Sequence, residues 1–184
     1  MLYTRKGDTG TTKTLGATER ISKNSTIAEA LGSLDEVNSY LGFCKVRVQE
    51  AGYMVSDMRI DAIVHDLQQT LFIIQAEVAG SDMTVSEKKV KDMEEVIDAI
   101  EKTLPPITTF FISGGTECAA LFEVVRTISR RAERRVVAVV EEGKVSIGQH
   151  SLAYLNRLSS ILYALARLSN HLSGINEESP TYNR

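Results

Sequence analysis

Along most of this chain apolar residues recur at three and four positions, the period of a helix with one buried face, while strand-like alternation is scarce. Ile27, Ala30, Leu31, Leu34, Val37 and Leu41 predict a first helix over about 25–50, with Gly52 as its stop. Ile60, Ile63, Val64, Leu67, Leu71, Ile74 and Val78 predict a second over about 58–79, ending near Gly80. A third spans about 86–104, with Ser86 as N-cap and Val90, Met93, Ile97, Ile100 and Leu104 inward, stopped by Pro105-Pro106. Leu121, Val125, Ile128, Ala132, Val136 and Val139 predict a fourth over about 116–141, ended by Gly143. Leucines 152, 155, 158, 162, 165 and 168 predict a fifth over about 147–173.

Short connections make successive helices antiparallel, so the expected fold class is all-α, a five-helix up-and-down bundle. A length of 184 residues suggests one domain over 1–184. It divides into a loop at 1–24, the bundle at 25–173 and a loose polar tail at 174–184. Few prolines, no Trp and few aromatics agree with long helices.

Charge narrows the function. A net charge of −3 gives no basic field for nucleic acid or an anionic membrane. No apolar run approaches the ~20 residues that span a bilayer. The opening is not a secretory signal, and Cys44 and Cys118 read as free buried thiols, so a cytoplasmic location is expected. His65, His150 and His171 share no ligand spacing, so no metal held by protein side chains is expected.

Chemistry is left to the segments that break the helical pattern. In the N-terminal loop, Gly7 and Gly10 allow close backbone approach, and successive exposed N–H groups make an anion-binding concavity. Arg5, Lys6, Lys13 and Lys23 add charge, and Thr4, Thr9, Thr11 and Thr12 add hydroxyls. That composition suits a polyphosphate, although GxxxxGK[ST] is absent; the alternative is a solvated N-terminus. The fourth helix carries Arg126, Arg130, Arg131, Glu133, Arg134 and Arg135. Arginine forks suit phosphates, and the alternative is an exposed face with internal salt bridges. Asp35, Glu36 and Asn38 on the first helix and Asn156 and Arg157 on the fifth are the remaining polar candidates.

Taken in order, these segments resemble the PduO-type ATP:cob(I)alamin adenosyltransferases. Tyr3-Thr-Arg-Lys-Gly-Asp-Thr-Gly-Thr-Thr12 resembles that family's nucleotide loop, and Arg20-Ile-Ser-Lys23 the segment after it. Gly32-Ser-Leu-Asp-Glu-Val-Asn-Ser-Tyr-Leu-Gly42 is similar to its first-helix signature, and Phe110-Phe-Ile-Ser-Gly-Gly115 to its connector. Arg126-Thr-Ile-Ser-Arg-Arg-Ala-Glu-Arg-Arg135, Tyr154-Leu-Asn-Arg-Leu-Ser159 and Leu165-Ala-Arg167 complete the series. The chain departs at Ser113, where the family commonly has Pro, at Ser160, where it commonly has Asp, and in the stretch Lys13–Glu19.

The resemblance implies transfer of the 5′-deoxyadenosyl group of ATP to the cobalt of cob(I)alamin, with Mg²⁺ on the phosphates, in a homotrimer with active sites between subunits. It implies ATP contacts from Thr4, Arg5, Lys6, Gly7, Thr11, Thr12, Lys13, Lys23, Arg130, Arg131, Glu133, Arg134 and Asn156. It also implies a pairing of Asp35 with Arg126 across the subunit boundary and Phe110 against the corrin. A cobalamin carrier without catalysis, a helical adaptor and a phosphoryl-transfer enzyme are the competing readings.

Overall fold

The computed structural model describes residues 2–14 and 17–182. Five helices carry it: α1 Thr26–Ala51, α2 Ile60–Val78, α3 Glu87–Glu101, α4 Glu117–Glu141 and α5 Gln149–Leu172. Their starts follow from capping chemistry. Ser25, Ser86 and Thr116 accept the N–H groups of Ala28, Lys89 and Ala119, each a bond worth about 1 kcal/mol. The α5 N-cap is Gly148, which has no side chain, and Glu77 at the end of α2 takes its place. The Glu77 carboxylate accepts the Gly148 N–H at 2.7 Å and the Ser151 hydroxyl. At the far end of α1, Gly52 closes the helix in the left-handed region, with φ 67°.

Helix directions alternate as expected, but spatial order is not sequence order. The main packing pairs are α1 with α2, α1 with α4, α4 with α5, and α3 with α5. Helix α1 runs antiparallel to α4, since Thr26 bonds Glu142 at one end and Arg47 pairs with Glu117 at the other. Helix α3 lies parallel to α5, joined by Arg157 and Glu94 and by Val85 N–H to Ser151. The long 102–116 connection makes this possible by crossing the top of the bundle.

Much of the set read from periodicity forms the core: Leu34, Val37, Leu41, Leu67, Leu71, Val136, Leu158 and Leu162 are buried, whereas Ile27, Leu31, Ile97, Leu104, Leu121 and Leu152 are only partly buried, and Phe122 and Tyr154 join the core beside them. Two boundaries differ. Helix α2 begins at Ile60, because Met54–Val55 pairs with Met58–Arg59 in a two-residue antiparallel ribbon, β3–β4. Helix α3 ends at Glu101, short of the prolines.

The N-terminal segment also holds more structure than a bare loop. Thr11–Thr12 (β1) pairs with Ile21–Ser22 (β2), and Arg20 ties the ribbon with bonds of 2.8 Å to the Thr11 hydroxyl and carbonyl. The departure expected after Thr12 falls partly on Leu15 and Gly16, outside the described residues. Part of the tail touches the bundle: Glu177 is bound by Arg167, and the Glu178 carbonyl accepts the Ile112 N–H at 2.8 Å. Asn183 and Arg184 lie outside the described residues.

Candidate active site

Helices α4 and α5 meet the 105–115 connector in a cleft of about 610 Å³. The connector supplies Ile107, Phe110, Phe111 and Ser113, α4 supplies Glu123, Arg126 and Arg130, and α5 supplies Ser159, Ser160 and Tyr163. One turn further along α4 lies a smaller, polar hollow of about 270 Å³, lined by Arg130, Glu133, Arg134, Val137 and Asn156. Arg130 belongs to both.

The arginine cluster separates by partner. Arg131 donates to Glu36 on α1, and Arg135 pairs with Glu29 at 3.3 Å. Arg126 holds Glu123 through Nε at 2.8 Å and Nη2 at 2.7 Å, with its guanidinium 5.8 Å from the centre of the Tyr163 ring. Internal salt bridges therefore account for three of the arginines. Arg130 and Arg134 differ: among the described residues neither meets a carboxylate. Arg130 reaches only the Ser159 hydroxyl, at 3.5 Å, and Arg134 the carbonyl of Arg130, at 3.1 Å. Both are exposed. Two arginine forks that form no salt bridge among the described residues, beside a hollow, suit an anion.

Asn156 and Glu133 are joined across the hollow, amide to carboxylate, at 3.0 Å. The Asn156 carbonyl accepts from Arg157 at 2.8 Å. This fixes the amide's orientation across the hollow.

Phe110 is 82% exposed at the rim of the larger cleft, a large apolar ring with no cover. Ser113 donates to Glu123 at 3.3 Å. Burial pushes the Tyr163 phenol above its ordinary pKa, so the cleft keeps a neutral hydroxyl. Glu123, Ser159 and Tyr163 were not singled out in the sequence; Glu123 shows itself only through its three-residue spacing to Arg126 on one helix face.

Asp35 is exposed on α1. Within one chain Arg126 is satisfied by Glu123, and the expected Asp35 pairing involves a second copy.

The nucleotide-loop candidates form their own cluster. The Lys23 side chain packs against Gly7, where an added Cβ would stand 3.2 Å from Nζ and 3.3 Å from the Thr11 carbonyl. Arg5 has φ 60°, a strained conformation for a non-glycine residue, and its guanidinium lies 5.4 Å from the Tyr3 ring centre. Thr4, Lys6 and Lys13 are exposed, Thr11 and Thr12 half-buried. Hydrogen bonds among the described residues of this segment stay within it. Among the described residues no hydrogen bond ties Thr4–Lys23 to Arg130 or Asn156.

Known proteins resemble the chain along nearly its whole length. The cobalamin adenosyltransferase family profile matches residues 2–169. A corrinoid adenosyltransferase of Bacillus subtilis is 35% identical over 177 residues, 96% of this chain and 90% of that protein. The corrinoid adenosyltransferase PduO of Citrobacter freundii is 34% identical over 92% of this chain, which spans only 50% of that longer protein. Among solved structures, a variant PduO-type ATP:corrinoid adenosyltransferase from Lactobacillus reuteri, complexed with cobalamin and ATP, superimposes with a TM-score of 0.86. It has 29% identity, with 98% of this chain and 96% of that chain covered. The chain belongs to the cobalamin adenosyltransferase family.

Proposed function

We propose that the protein transfers the 5′-deoxyadenosyl group of ATP to the cobalt of cob(I)alamin, giving adenosylcobalamin and triphosphate. The observation that carries this is Arg130, a guanidinium without a carboxylate partner, standing in the wall between an apolar-rimmed cleft and a polar, arginine-lined hollow. The larger cleft, with Phe110 at its rim, suits a corrinoid edge; the hollow suits a nucleotide phosphate chain. Ligands in the two would meet beside one arginine.

The reaction asks for little acid–base chemistry. The cobalt of cob(I)alamin carries the electron pair that attacks C5′ of ATP. The cobalt–carbon bond forms, the C5′–oxygen bond breaks, and the electron pair of that bond leaves on the triphosphate. The protein must align C5′ with cobalt, an effect worth about 7–11 kcal/mol in well-oriented systems, and stabilise the departing charge. Arg130 and Arg134 serve the second need, with Asn156 and Glu133 orienting the nucleotide and Arg131 at the edge. Mg²⁺ belongs here only as the companion of the triphosphate. Two arginines suit phosphates and repel a bare cation, so phosphate oxygens would hold the ion.

Thr4, Arg5, Lys6, Gly7, Thr11, Thr12, Lys13 and Lys23 complete the nucleotide site from a neighbouring copy in a homotrimer. Two features support assembly. Among the described residues the loop makes no hydrogen bond to α4 of its own chain, and Tyr40, Phe43 and Phe72 on α1 and α2 are exposed. Two free buried thiols fit a reducing cytoplasm.

Incubating the protein with ATP, Mg²⁺ and reduced cobalamin should yield a light-sensitive cobalt–carbon product and free triphosphate in equal amounts. Release of ADP, or corrinoid binding without ATP consumption, overturns the reading.

A further inference from the structure

The far end of α5 and the tail play no part in the function above, yet they hold one of the most completely bonded side chains in the molecule. Arg167 is 5% exposed. Its Nε donates to both carboxylate oxygens of Glu177 at 3.0 Å, and its Nη2 donates to Glu177 Oε2 at 2.8 Å and to the Pro105 carbonyl at 3.0 Å. The guanidinium carbon stands 5.2 Å from the centre of the Phe111 ring. One residue beyond Glu177, the Glu178 carbonyl accepts the Ile112 N–H at 2.8 Å. The connector is therefore fastened at Pro105, Phe111 and Ile112, on both sides of Phe110. At its end the Asn170 amide donates to the Gly114 carbonyl at 3.0 Å, and its oxygen accepts the Thr116 N–H at 2.9 Å.

A segment without helix or sheet bonds of its own takes its position from such ties. Phe110 projects into solvent at the cleft rim, so its place depends on the backbone beneath it. Glu177 and Glu178 also lie beyond the stretch matched by the family profile, which ends at residue 169.

We propose that the tail is a positioning strap: Glu177, through Arg167, and Glu178, through the Ile112 amide, set Phe110 against the corrinoid in the larger cleft. The proposal rests on the adenosyltransferase reading. Neither glutamate touches a reacting atom; both act through the connector. Misplacement of such a wall by about 1 Å is enough to slow chemistry strongly.

The test is Glu177→Gln in the full chain, which keeps shape and removes the charge that Arg167 holds, with Glu177→Asp as the charge-retaining control. Kinetics in both substrates and chymotryptic cleavage after Phe110 and Phe111 are read together. In Glu177→Gln the corrinoid KM should rise roughly tenfold while the ATP KM stays within about twofold. Cleavage should quicken, with Glu177→Asp recovering part of each effect. Unchanged corrinoid KM and cleavage overturn the strap. So does a parallel loss of ATP and corrinoid affinity with a lowered Tm, which marks general destabilisation. If the parent chain makes no adenosylcobalamin, the functional reading fails, and the strap is judged on cleavage alone: faster cutting of Glu177→Gln supports it, equal cutting overturns it.

Discussion

Arg126 grips Glu123, one turn earlier on α4, through two donors at 2.8 and 2.7 Å. A guanidinium has further N–H groups, and the proposed second acceptor is Asp35 of a neighbouring copy. Asp35→Asn and Arg126→Ala should each lower turnover several-fold. In a double-mutant cycle the pair should be non-additive by ~0.5–3 kcal/mol. Simple additivity in steady-state kinetics would separate the two residues and remove the pairing.

Arg130 and Arg131 are adjacent in sequence and differ in surroundings. Arg130→Ala should reduce kcat on the order of 10²-fold, the scale for losing a donor to developing charge. Arg130→Lys should also be poor, because an ammonium cannot offer a fork. Breaking the half-exposed Arg131 pair by Glu36→Gln should change stability by less than about 1 kcal/mol in a denaturant titration. Near-normal turnover in both Arg130 variants would remove that residue from the reaction.

Gly7 is the closely packed glycine of the proposed nucleotide loop. In Gly7→Ala the new methyl meets Lys23 Nζ and the Thr11 carbonyl, and the lysine must move. The ATP KM should rise by about tenfold, with the melting curve of the free protein nearly unchanged. An unaltered ATP KM would detach Lys23 from the phosphates.

Cys44 gives a pH signature. Burial pushes its thiol up to about 12, and its neighbour Cys118 is raised by the same cause. The folded state therefore keeps the proton after the unfolded chain has begun to lose it. This contribution is complete below the ordinary thiol pKa near 9.0 and disappears as pH climbs towards 12. Thermal melts should weaken across that window, and Cys44→Ala, although less stable at neutral pH, should show a shallower decline. An equal alkaline slope in both proteins would refute this.

The bundle was legible because burial on helices leaves a periodic trace: Val37, Leu71 and Val136 are fully buried where the pattern put them. Ser86 announced its helix through capping chemistry. What escaped is non-periodic. The β3–β4 ribbon is too short to alternate, and the anchoring of Glu177 depends on an arginine ten residues away across a turn. The arginine stretch pointed to anions, but Glu29 and Glu36, which occupy Arg135 and Arg131, lie about a hundred residues upstream. Only the packing of α1 on α4 separates committed arginines from available ones.

Arg130 forms part of both hollows, and this imposes a thermodynamic symmetry. In the proposed arrangement a side chain that settles towards a phosphate in one hollow alters the wall of the other, so neither substrate would bind to a site indifferent to its companion. Linkage then fixes the relation: whatever factor ATP applies to the affinity for corrinoid, corrinoid must apply to the affinity for ATP. Replacing this one guanidinium should therefore do more than weaken two separate equilibria. It should reduce their dependence on each other, leaving a protein whose substrates bind more nearly as strangers.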